Sequence, residues 1–181
     1  MRVIAGKYKG RSLVAPKQDT RPTLDRMKET LFNILNFKLQ NATVLDMFAG
    51  SGQLAIESLS RGANRVVLCD NSREAVVAIK ENYEKIELKP ELYCCDYMQC
   101  LLQLNCQFDI VFVDPPYKSG LYQNVLCKLC ELNLLADAGI VVCEHLAETD
   151  LPCEIGCLQK YDTRKMGTVK FDFYKRSELC E

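Results

Sequence analysis

The chain has 181 residues, 48% of them hydrophobic and 26% charged, with 11 cysteines, no tryptophan and a formal net charge of −1. This suffices for one domain burying about two thirds of its unfolded surface, and the composition is that of a globule, not of a disordered or fibrous chain. No apolar run approaches the ~18 residues of a spanning helix, and MRVIAGKYKGR carries charges where a signal peptide would be apolar, so a cytoplasmic protein without membrane contact is expected.

The near-neutral total hides an asymmetry. Residues 1–28 hold Arg2, Lys7, Lys9, Arg11, Lys17, Arg21, Arg26 and Lys28 against Asp19 and Asp25, eight cations against two anions, so the balance is +6 here and −7 in the other 153 residues. A basic arm on an acidic body suits a polyanionic partner, and Tyr8, Gly6 and Gly10 would allow close approach to a backbone. Residues 1–14 alternate enough for a short hairpin turning at Lys9 and Gly10. Leu24, Met27, Leu31 and Leu35 then recur at helical spacing and predict a helix over residues 23–36.

From residue 43 onwards short apolar runs alternate with helical segments, the signature of a parallel sheet covered on both faces. Four runs share an ending: TVLD at Asp46, RVVLCD at Asp70, ELYCCD at Asp96 and DIVFVD at Asp114. Gly62 is a plausible helix C-cap and Ser72 an N-cap between them. In a parallel sheet all four carboxylates would reach the same edge, where open α/β sheets bind ligands. GIVVCEH, CEIGCLQKYD and TVKFDFYKR supply three more strands, the last two joined by a turn at residues 164–167. The cysteines sit mostly inside apolar runs and read as reduced, buried thiols. Cys127 with Cys130 and Cys153 with Cys157 could in principle hold zinc, but the first pair lies in a helical segment and the single His145 has no companion ligand, so no metal is expected.

The first strand runs into Phe48-Ala49-Gly50-Ser51-Gly52 and then a helix. Glycines admit a ligand where a Cβ would collide, and the helix start offers free N–H groups. Gly50-x-Gly52-x-x-Ala55 matches the dinucleotide fingerprint formally, with Asp70 placed for a ribose. An S-adenosylmethionine reading employs more of the residues: the loop for the methionine carboxylate, and Asp46, Asp70 and Asp96 for ammonium, ribose and adenine amine. The fourth strand ends in Asp114-Pro115-Pro116-Tyr117. Neither proline has an N–H and each restricts its predecessor, leaving carbonyls beside the Asp114 carboxylate as acceptors without donors. A nucleobase amine fits such a cluster, with Tyr117 stacking on the base.

The DxFAGSG loop followed by DPPY resembles the amino-directed class I methyltransferases. Over most of its length the chain is similar to the bacterial 16S ribosomal RNA (guanine-N2) methyltransferase D family, through RVIAGKYKGR, TRPTLDRMKETLFNIL, LDMFAGSGQLAIESLSRGA and FVDPPY in that order. The resemblance implies a doubly wound, Rossmann-like, mostly parallel seven-stranded sheet with an antiparallel C-terminal strand. A hairpin and helix extension over residues 1–40 would face RNA, and residues 41–181 would form the methyltransferase domain. It implies transfer of a methyl group from S-adenosylmethionine to a guanine amine of 16S rRNA in an assembled or assembling small subunit, by a monomer. Asp114, Pro115, Pro116 and Tyr117 would be catalytic. Asp46, Phe48, Ala49, Gly50, Ser51, Gly52, Asp70, Asn71, Asp96 and Tyr97 would line the cofactor site. Thr20, Arg21 and Pro22, with Arg2, Lys7, Lys9 and Arg11, would meet RNA. Asp70 departs from the family's more usual Glu, and the cysteine richness is unusual. The alternatives are an amino methyltransferase of DNA acting on adenine N6 or cytosine N4, an assembly protein that has lost catalysis, and a nicotinamide oxidoreductase.

Overall fold

The computed structural model describes residues 1–16, 25–116 and 119–177. These form five helices and eight strands. In chain order they are α1 (Asp25–Leu39), β1 (Thr43–Met47), α2 (Gln53–Ser60), β2 (Arg65–Cys69), α3 (Arg73–Lys85), β3 (Glu91–Tyr93), α4 (Tyr97–Gln103), β4 (Phe108–Val113), α5 (Tyr122–Glu131), β5 (Leu135–Leu146), β6 (Glu154–Ile155), β7 (Leu158–Met166) and β8 (Val169–Arg176). No helix among the described residues is long and apolar enough to cross a membrane.

The strands make one sheet in the order β3-β2-β1-β4-β5-β8-β7-β6. Pairings from β3 through β5 are parallel and those of β8, β7 and β6 antiparallel. Strand order reverses direction between β1 and β4, which opens a crevice at the carboxyl edge between the segments that follow them. One apolar layer joins α1, α2 and α3 to the sheet through Leu31, Phe32, Leu35, Ala55, Ile56, Ile79, Phe112, Val142 and Phe171. The other joins α4 and α5 through Cys100, Leu101, Val125, Leu126 and Leu129 against Leu45, Val67, Val111 and Val141. The central strands read as unbroken apolar runs because both faces are covered.

Local signals fix several ends. Ser72 accepts from the Ala75 N–H and starts α3, while Gly62, at φ 106°, follows the C-cap of α2. The α1 stripe continues to buried Leu39, three residues beyond the expected end, and Lys38 closes the helix by donating to the Ala138 carbonyl at 2.9 Å.

Other expectations require correction. The sheet has eight strands, not seven, because CEIGCLQKYD turns back on itself as β6 and β7, with Gly156 at φ 57° between them. The β7–β8 turn falls at Gly167 and Thr168, later than read, since β7 pairs with β8 out to Met166↔Val169. In ELYCCD the strand stops at Tyr93. Of the ten described cysteines only Cys69, Cys100 and Cys143 are buried, while Cys94 and Cys153 are exposed. Alternation inside a short edge strand does not by itself say which thiols reach the core.

Residues 1–16 fold onto this body. An Arg2↔Ser12 bridge closes a hairpin-like turn, and Val3 and Leu13 enter the same apolar layer as α1. Gly6 sits at φ 81° so close to α2 that a Cβ would lie 1.8 Å from the Ser60 carbonyl oxygen, which only glycine avoids. Buried Glu57 of α2 accepts from the Ile4 and Ala5 N–H groups at 2.8 and 3.1 Å and from Arg61 at 2.8 Å. Buried Lys28 of α1 lies 3.6 Å from it and donates to the Arg2 carbonyl.

Candidate active site

The loop after β1 is held open by its own backbone. Phe48, Gly50 and Gly52 have φ of 63°, 56° and 72°. A Cβ on Gly50 would meet nothing within 4 Å, so the space above it is clear, whereas one on Gly52 would press on Ile79 and Leu68 at 3.3 Å. Gly52 thus lets α2 begin close against β2 and α3. The Ala49 N–H donates to the Cys69 carbonyl at 3.0 Å, and the Gly50 N–H to the Asp70 carboxylate at 2.8 Å. Asp70 also accepts from the Ser72 N–H at 2.8 Å, clamping the glycine loop to the start of α3. Burial raises its carboxyl above the ordinary value, with these two hydrogen bonds opposing.

Asp46 is 2% exposed and accepts from the Ala55 N–H at 3.2 Å. Burial pushes its carboxyl up to about 7; the hydrogen bond lowers it and Asp70 raises it further. Beneath lies Tyr83, whose enclosed hydroxyl has no hydrogen-bond partner among the described residues and whose phenol is raised by burial and then by Asp46. A buried carboxylate near an orphaned hydroxyl, at the foot of the glycine loop, suits a ligand bearing positive charge. Phe48 and Tyr97 pack with ring centroids 5.8 Å apart, forming an aromatic edge on the crevice. Asp96 caps α4 by accepting from Met98 N–H at 2.9 Å; it and Asn71 are exposed. Asp46 is the penultimate residue of β1, and Asp70, Asp96 and Asp114 come after β2, β3 and β4, so all four reach the carboxyl edge; Asp46, Asp70 and Asp96 accept from backbone N–H groups there.

Asp114 and Pro115 follow β4 directly, across the crevice from the glycine loop; Asp114 is half-buried, Pro115 buried and Pro116 exposed. The Pro116 carbonyl accepts from the Ser119 N–H at 2.8 Å, turning the chain toward α5. Tyr117, and Thr20, Arg21 and Pro22, lie outside the described residues. Arg2 pairs with Asp25 at 3.3 Å, Lys7 stands 5.1 Å over the Tyr8 ring, and Lys9 and Arg11 are exposed. The turn carrying Lys7 and Lys9 docks at Ser60, the end of α2 away from the glycine loop, so topology does not bring it to the crevice with Asp114.

Two residues near the site escaped the sequence reading. Ser51 is buried, and its carbonyl accepts from Asn82 at 2.9 Å; Asn82 also exchanges hydrogen bonds with Val14, at 2.8 and 2.9 Å, tying the glycine loop to the N-terminal segment. An Asn on the apolar stripe of Ala75, Ala78, Ile79 and Tyr83 was the available signal. Glu144, 5% exposed on β5, is the other.

A glycine loop after the first strand, acids at the carboxyl edge and this strand order define a class I methyltransferase. The fold matches the Escherichia coli protein yhhF with TM-score 0.87 at 33% identity, over 98% of both chains, and Thermus thermophilus TTHA0928 with TM-score 0.84 at 26% identity, over 97% and 99%. The family model "Conserved hypothetical protein 95" matches residues 1–175. Ribosomal RNA small subunit methyltransferase D of Escherichia coli K12 is 33% identical, covering 100% of this chain and 92% of that protein; the Haemophilus influenzae protein of the same name is 36% identical over 84% and 81%. The chain belongs to the small-subunit ribosomal RNA methyltransferase D family.

Proposed function

We propose that the chain transfers a methyl group from S-adenosylmethionine to the exocyclic N2 amine of a guanine in 16S rRNA, acting as a monomer in the cytoplasm on an assembled or assembling small subunit. The observation carrying this reading is Asp114-Pro115-Pro116 at the end of β4, facing the glycine loop across the point where strand order reverses. Family membership supports methylation of ribosomal RNA.

When bound, the cofactor supplies an electrophilic methyl group on a sulfonium. Asp46, Phe48, Gly50, Asp70, Asp96 and Tyr97 would hold it: the clear space above Gly50 admits it, and the buried Asp46 carboxylate gains a cationic neighbour. The prolines withhold N–H donors, so Asp114 and the adjoining carbonyls act only as acceptors. Accepting both amine protons draws the nitrogen lone pair out of conjugation and fixes it in line with the incoming carbon. Orientation and fixed dipoles are the main sources of rate for such a displacement. The nitrogen gains the positive charge that sulfur loses, and its proton can leave afterwards.

The test is transfer of labelled methyl to small subunits lacking the modification, beside naked 16S RNA and duplex DNA. Label in guanine N2, reduced at least ~100-fold by Asp114→Ala, is the expected result. Label confined to DNA adenine or cytosine would replace this reading with that of a DNA amino methyltransferase.

A further inference from the structure

The sheet carries a fifth acid at the carboxyl edge to which methyl transfer gives no part. Val113 of β4 aligns with Cys143 of β5, so the next residues, Asp114 and Glu144, stand side by side where β4 ends, two residues before the end of β5. They also share a face. Glu144 follows Val142 by two residues and lies opposite Phe171, and Asp114 follows Phe112 by two; all three reference side chains belong to the α1–α3 layer. Side chains two apart on a strand point the same way. Asp46, two residues after Val44 of that layer, lies on the same face, level with Phe112 and so two residues before Asp114 along the strands.

Glu144 is 5% exposed, and its main-chain carbonyl is anchored at 2.7 Å by the hydroxyl of Tyr122, the first residue of α5. That contact fixes the end of β5 against the segment that leaves Asp114. Burial disfavours an acid's charge, and two neighbouring acids repel, so hydrogen-bond donors on a bound base would be favoured between them. A guanine presents a donor to each of the two acids. Its N1–H and N2 amine are adjacent on one edge, so with Asp114 on the amine a neighbouring carboxylate meets N1–H. Adenine beside N6 and cytosine beside N4 instead present a ring-nitrogen lone pair, which a carboxylate repels.

We infer that Glu144 is the specificity residue of this site, accepting the N1–H of the target guanine and rejecting the other amino bases. The inference rests on the guanine-N2 reading above. Its test uses the purified full chain and RNA in which the methylated guanine, once mapped by label transfer, is replaced by 2-aminopurine. That base keeps the 2-amino group but has a lone pair at N1. The wild type is expected to favour guanine by at least ~100-fold in kcat/KM, since a site built for a donor strongly rejects its absence. Glu144→Gln, whose amide can donate to N1, should lower guanine turnover and shrink the preference to below about 10-fold. A wild type that uses both bases equally overturns the inference without needing the variant. So does a Glu144→Gln protein that loses activity on both bases by the same factor, the signature of a structural role. Label on adenine or cytosine with guanine untouched overturns the guanine reading itself, and this assignment with it.

Discussion

Asp46 and Asp172 show how position changes what one side chain contributes. Both are acids buried in the sheet, at 2% and 1% exposure. Asp46 accepts from the Ala55 N–H, and burial raises it from 3.8 to about 7. Burial also acts to raise Asp172, but the His145 ring 3.1 Å away and hydrogen bonds from Thr163 and Lys160, at 2.6 and 3.0 Å, outweigh it and hold the carboxyl at about 2. The signs of the two linkages are opposite. Between pH 3.8 and about 7 the folded chain keeps a proton on Asp46 that the unfolded chain has lost, so stability falls as pH rises through that window. Asp172 stabilises the fold above pH 3.8, and its contribution is lost as pH falls toward 2. Asp46→Asn should therefore flatten the decline between pH 4 and 7 and raise stability at pH 7 by about 2–4 kcal/mol, read from urea midpoints at several pH values. The same substitution should weaken S-adenosylmethionine binding in calorimetry, because it removes the negative charge offered to the cationic ligand.

At the scale of elements, α2 links the N-terminal hairpin to the glycine loop. It starts at Gly52 of that loop and presents Glu57 and Ser60 to residues 4–8. Glu57 is enclosed with Lys28 and Arg61, so removing its charge leaves a buried ammonium uncompensated. Glu57→Gln should cost about 3 kcal/mol in denaturant unfolding. It should also make residues 1–16 the first point of protease attack. The double variant Lys28→Met with Glu57→Gln should recover part of the loss, since an apolar replacement needs no counter-charge.

Across the whole molecule, charge and chemistry are separated. The hairpin turn bearing Lys7 and Lys9 docks at the far end of α2, while Asp46, Asp114 and Glu144 line the carboxyl edge. An RNA reaching both would lie along the α1–α3 face, with the hairpin holding its backbone and the crevice its base. Lys9→Ala with Arg11→Ala should then weaken RNA binding and raise KM with little change in kcat. The slope of log affinity against log salt should become shallower by about one for each phosphate that no longer meets a cation. Filter binding across a salt series, alongside methyl transfer, checks both parts.

Much of this was legible in one dimension because its causes are local. The Ser72 cap, the Gly62 stop and the glycine loop depend on near neighbours, and each appears where the spacing of residues predicts it. The alternation of runs and helices was sufficient for a parallel sheet with those acids at one edge, since parallel strands need crossovers and crossovers align strand ends. Tertiary structure alone decided what depends on partners distant in sequence. Strand β6 exists through only two pairings with β7. Asn82 is an ordinary helical Asn until the fold brings Ser51 and Val14 to it, 31 and 68 residues away. Glu144 lies inside an apolar run, and its meaning comes from register: a shift of one residue would turn it to the other face of the sheet. The sequence by itself determined the helices, the central strands, the motifs and the edge at which they meet, because spacing and backbone sterics act over a few residues. Only the fold decided which acids are buried, which share a face and how far the basic turn lies from the crevice, because burial and register are properties of packed strands and helices.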